Sequence, residues 1–194
     1  MSNKQKVTNV AILGVFGAVV AVLQLLSYAI KIGTFNLSLV LIPIVLGAYL
    51  YGPKKGAILG GIFGAVVVIC CFAGMDAGGY ILISANPLLT TAVCMVKGIA
   101  AGFVPGIIAK ALGKKCSPYL TIILCAISAP IVNTGLFTAS MFLFFKDTLT
   151  EWAGGTNVVT YAIVGLIGVN FIIEFVVNAL AAPSLLRVKK SMKR

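Results

Sequence analysis

The chain has 194 residues, 60% hydrophobic and 10% charged, with no histidine and a mean hydropathy of +1.12. That leaves too little polar surface for a water-soluble globule and excludes a soluble enzyme or nucleic-acid-binding module, despite a net charge of +11. The fifteen Lys and Arg gather in short segments between apolar runs, as topology signals of an integral membrane protein do.

The first apolar run, about 8–30, is too long for a signal-peptide core and reads as a transmembrane helix. On it Gly14 and Ala18, then Gly17 and Ala21, are small residues four apart, a flat strip suited to another helix, internal or on a partner. A second helix, about 36–51, covers only about 24 Å and needs shelter from protein. Gly52-Pro53-Lys54-Lys55 then turns the chain into a third helix, about 56–72, on which Gly56, Gly60 and Gly64 share one face. Residues 73–87 carry no Lys or Arg and read as an external loop. A fourth helix, about 88–112, contains Pro105 and a second glycine face, Gly98, Gly102 and Gly106, so it is expected to bend and pack closely. The fifth, about 119–145, is interrupted near Pro130; a polar loop follows, and the sixth, about 158–185, meets Pro183 in its last turn before a basic tail. The expectation is an all-α integral membrane protein: one membrane domain, 1–194, of six transmembrane helices. With both termini in the cytoplasm, twelve basic residues lie inside against Lys31 and Lys146 outside, which sets an N-in, C-in orientation.

Paired carboxylates are confined to Asp147 and Glu151 in a polar loop, and no Walker-type or G-x-S-x-G pattern occurs, so no enzyme is expected. The five cysteines lack C-x-x-C spacing and read as small hydrophobes, with no metal site. The informative groups are the charges within helices, because an ionised group at mid-membrane costs several kcal/mol unless paired or facing a polar cavity. These are Lys97 and Glu174. At 1.5 Å per residue Lys97 lies roughly 14 Å from the outer helix end, Asn133 and Asn170 roughly 18 Å, and Glu174 roughly 24 Å. Lys97 is therefore expected to meet an anionic or carbonyl group of a ligand while Asn133, Thr134 and Asn170 supply directional hydrogen bonds. The alternative is a structural Lys97–Glu174 ion pair with the asparagines gluing helices together. Tyr80, Asn86, Trp152, Asn157 and Tyr161 fall at the outer mouth, as a closing lid or as an interfacial aromatic belt.

These features together resemble the substrate-binding S components of energy-coupling factor (ECF) vitamin transporters. The likeness covers nearly the whole chain: its length, six helices, basic cytoplasmic ends, the hairpin carried by Pro43, Gly47, Gly52, Pro53, Gly56 and Gly60, and the Lys97-Gly98 stretch followed by glycines. Gly14-x-x-x-Ala18 stands where the family has an A-x-x-x-A strip that docks on a transmembrane coupling subunit. The resemblance implies a multi-pass subunit of a bacterial or archaeal cytoplasmic membrane, without cofactor or nucleotide site. It would bind a vitamin from outside and tilt over while a coupling subunit and two ATP-binding-cassette ATPases use ATP.

A single intramembrane lysine beside amides favours a ligand with a carboxylate or polarised carbonyl. Pantothenate fits that description best; riboflavin, a pyridoxine-type vitamin, folate and a purine-like precursor stay open. Two rivals are a stand-alone secondary carrier or channel using the Asn170, Glu174 and Asn178 stripe, and a ligand-free membrane scaffold.

Overall fold

The computed structural model describes residues 3–28, 31–32, 35–36, 39–113 and 115–191. Helix α1, Asn3–Ser27, is followed by two short antiparallel strands, β1, Lys31–Ile32, and β2, Phe35–Asn36, with Lys31 opposite Asn36. Helix α2, Leu41–Tyr51, has 11 residues rather than the expected sixteen or so. It covers only about 16 Å, and its sheltered position explains how so short a helix is tolerated. Leu41, Pro43, Ile44, Val45, Leu46, Gly47, Ala48 and Tyr49 are all buried, packed among α1 and the helices described next.

Helix α3, Pro53–Phe72, begins earlier than the expected residue 56. Gly52 alone makes the link, with φ +88°, a left-handed conformation that glycine adopts without strain. Proline suits the first helical position because its missing N–H would have no partner there. Lys54 and Lys55 therefore sit in the first turn of α3, with the Lys55 ammonium 4.7 Å from the Tyr51 ring centroid.

The expected loop at 73–87 contains a helix, α4, Ala77–Ala85. The Asp76 side chain accepts from the Gly79 N–H at 2.9 Å and caps its start. Asn86 ends α4 and caps α5, Pro87–Leu112, by accepting from the Leu89 N–H at 3.0 Å. Thr90 donates its hydroxyl to the carbonyls of Leu82 and Asn86, each at 2.8 Å, which locks the α4–α5 corner. Helix α6, Pro118–Phe144, follows; the Cys125 thiol donates to the Pro105 carbonyl at 3.2 Å, tying α6 to α5.

The polar loop after α6 also folds into a helix, α7, Lys146–Ala153, which buries Leu149 and Ala153 and ends at Gly154 with φ +55°. The expected sixth helix is three pieces. Helix α8, Val158–Tyr161, is capped by Asn157; a π-helical segment, Ala162–Gly168, leads into α9, Val169–Ser191. Pro183 lies inside α9 rather than in its last turn. Proline deprives the helix of one hydrogen bond, and neighbouring helices and local adjustments make that bearable in apolar surroundings.

Among the described residues the architecture is helical apart from the β1–β2 pair, and four helices are long and apolar enough to cross a membrane. They are Val10–Ser27 of α1, and α3, α5 and α6, while α2 and Phe171–Ser184 of α9 are shorter apolar helices. The centre is the α3–α5 seam, where both predicted glycine faces meet. A Cβ on Gly56 would overlap the Gly102 carbonyl, one on Gly60 the Gly98 carbonyl, and one on Gly64 would lie 2.7 Å from the Cys94 carbonyl. A Cβ on Gly106 would fall in the backbone of Pro53, so the Lys54–Lys55 turn and the Lys110 end of α5 share one end of the molecule.

Candidate functional site

Lys97 adjoins Gly98 in α5. One residue is 100° of helix, so while Gly98 is buried in the seam with α3, Lys97 is turned away from it and half-buried. Its ammonium lies over the face of Phe137 of α6, 4.8 Å from the ring centroid.

Asn133 precedes Phe137 by one turn on the same face of α6, and its Oδ1 is shut off from solvent with no hydrogen-bond partner. The Thr138 hydroxyl is orphaned in the same way. A buried carbonyl oxygen without a donor costs about 1–3 kcal/mol, so the Asn133 oxygen gains by receiving one. Thr134 is half-buried, 100° round α6 from Asn133.

Phe137 packs in a second apolar cluster, separate from the main core. Its buried members are Leu82 of α4, Met141 of α6, Phe145 at the α6–α7 junction and Leu149 of α7. Trp152 and Tyr161 pack against the same cluster, so Phe137 links the Lys97 ammonium, and Asn133 one turn away on α6, to the apolar group that holds both aromatics. Close approaches hold both aromatics. The far edge of the Trp152 indole would lie 3.6 Å from a Cβ on Gly78. Three Tyr161 ring atoms would lie 2.9 to 3.2 Å from a Cβ on Gly165, so the ring folds down onto a position that only glycine leaves open.

Other predicted residues are placed differently. Tyr80 is exposed and outside the cluster, with 52% of its surface accessible. The side-chain oxygens of Asn86 and Asn157 are engaged as helix caps. The Asn170 side chain lies outside the described residues. Glu174 and Asn178 are buried in α9, where the Asn178 amide donates to the Glu174 carbonyl at 2.8 Å. Phe137 and Thr138 were not anticipated; the signal for Phe137 was its spacing of four from Asn133.

The small residues of α1 divide. Gly14 and Ala18 are exposed, with nothing within 4 Å of a Cβ on Gly14, and Val15, Val19 and Val22 flank them outward. Gly17 is buried, a Cβ there lying 2.8 Å from Ile62 of α3, and Ala21 is half-buried. One pair looks outward; the other packs inside.

Two likenesses to known proteins add to this geometry. Residues 8–186 match a family model described as "ECF transporter, substrate-specific component". The chain is also 26% identical over 181 residues, 90% of its own length and 89% of the relative's, to the pantothenic acid transporter PanT of Lactococcus lactis subsp. cremoris (strain MG1363).

Proposed function

This chain belongs to the family of ECF transporter substrate-specific components, and from that premise we propose that it captures pantothenate for an ECF-type importer. It is a multi-pass membrane protein and a vitamin-binding transporter subunit, not an enzyme. Our finer reading is that it crosses a cytoplasmic membrane six times with both termini inside, the short α2 making one pass within the bundle. It binds substrate from outside and tilts to release it inward. A transmembrane coupling subunit and two ATP-binding-cassette ATPases supply the energy, so ATP acts outside this chain.

The observation that carries the substrate reading is the Lys97 ammonium of a half-buried side chain over the Phe137 face, with the unpartnered Asn133 carbonyl one helical turn from that ring on α6. A cation so placed takes a carboxylate in a charge-assisted hydrogen bond, and the Asn133 oxygen takes a hydroxyl or amide N–H. Pantothenate offers all three, together with a branched alkyl segment for the Phe137, Trp152 and Tyr161 wall. The likeness to PanT supports the same choice.

Titration of the purified chain with pantothenate, with native mass spectrometry of the complex, tests this reading. Saturable one-to-one binding is expected; no binding by a folded chain removes pantothenate as substrate. For the partner, Gly14→Trp or Ala18→Trp in the assembled transporter is expected to abolish uptake while leaving binding intact. Loss of both together makes that strip internal packing. Proton- or sodium-dependent uptake by the chain alone would establish the carrier reading instead.

A further inference from the structure

The proposed function places Phe137 in the apolar wall and leaves its contact with the Lys97 ammonium unassigned. The ring packs against the second cluster of Leu82, Met141, Phe145 and Leu149, and the ammonium lies 4.8 Å from its centroid. An aromatic face within about 6 Å attracts a cation, more strongly as water is excluded, but without the directionality or strength of a carboxylate.

We propose that Phe137 is the partner to which Lys97 returns between substrates, and that it thereby sets the charge selectivity and the release of the bound anion. The inference rests on the carboxylate reading of Lys97. A substrate carboxylate draws the ammonium off the ring, so the cation–ring attraction is subtracted from the affinity of every anionic ligand. A neutral ligand that leaves the ammonium where it is loses nothing. On release the same attraction favours departure, because the ammonium has a low-energy place to go. Without the ring an importer site would hold its anion more tightly and give it up more slowly.

The experiment compares two probes that differ only at the charged end, pantothenate and its neutral alcohol, pantothenol, on wild-type, Phe137→Leu and Phe137→Tyr chains. Contacts with the apolar wall cancel in the ratio of the two dissociation constants. In Phe137→Leu the preference for pantothenate over pantothenol is expected to rise by about two- to thirtyfold, with slower pantothenate dissociation. Phe137→Tyr keeps an aromatic face and is expected to stay within about twofold of wild type. If Phe137→Leu fails to fold, Phe137→Met carries the same comparison with an unbranched apolar side chain. An unchanged or lower ratio, with Lys97→Ala still weakening pantothenate binding by about tenfold or more, overturns the role of Phe137 and leaves the proposed substrate standing. If the wild-type chain binds neither probe, the carboxylate reading and this inference fall together.

Discussion

Helix α5 meets α3 through backbone and α6 through side chains, and the two contacts are built for opposite purposes. At the seam, Gly56, Gly60 and Gly64 lie directly against the carbonyls of Gly102, Gly98 and Cys94, and no atom can be added without moving a helix. On the other flank Lys97 reaches Phe137 across a soft cation–ring contact, and the oxygen of Asn133, one turn from that ring, has no partner. A backbone contact of this kind has one arrangement, because close-packed surfaces do not deform gradually. The polar flank, as we propose it, exchanges the ring for a substrate carboxylate. A rigid seam one residue away would hold the Lys97 backbone in place during that exchange.

The widest gap between the flanks should appear on adding volume. Gly98→Val drives a branched side chain into the Gly60 carbonyl and is expected to cost on the order of 3 kcal/mol or more, read as lost monodisperse protein or a large drop in Tm in detergent. Gly61→Ala, whose Cβ would meet only Ile99 at an ordinary 3.6 Å, is the internal control and should change Tm little. Equal damage from both would mean that the seam is not where the tight packing lies.

Removing the charge tests the opposite flank. Lys97→Ala is expected to leave Tm nearly unchanged and to weaken pantothenate binding by about tenfold or more, at least about 1.4 kcal/mol. Unchanged affinity in a folded variant would move the site elsewhere.

The smallest effects belong to the rim and divide its two tyrosines. Gly165→Ala displaces the Tyr161 ring and is expected to weaken binding by a few-fold, about 0.5–1 kcal/mol, whereas Tyr80→Ala, at an exposed position outside the cluster, is expected to have no measurable effect. Isothermal titration of both variants sharpens the border of the site. The reverse order would place the lid at α4.

Much of the seam was legible in the residues. Glycines at a spacing of four on two apolar runs have a packing explanation that needs no partner to be known, and α3, α5 and α6 lie close to their expected limits. The α4 helix was missed because Gly78 and Gly79 disfavour a helix by propensity. Tertiary contact overrides that preference, since a Cβ on Gly79 would run into the Cys71 sulfur. Its signal was available in the cap Asp76 and in Asn86-Pro87, a cap followed by proline at the first helical position. Of the candidate site, Lys97, Asn133, Trp152 and Tyr161 follow from residue type and depth; Phe137, one phenylalanine among eleven, is marked only by its spacing of four from Asn133, which does not say what lies above the ring.

Composition and periodicity by themselves determined that this is a helical membrane protein, that two helices join through glycine and that one lysine within an apolar helix needs a partner. Each of these follows from properties of single segments: transfer energy, helical spacing and the cost of an isolated charge. Only the tertiary structure decided which of the two small pairs on α1 faces outward, that α2 is buried, and that the partner of Lys97 is a ring on α6. Those are relations between segments far apart in the chain, set by how the helices rotate about their axes as the bundle closes, and no single segment encodes that rotation.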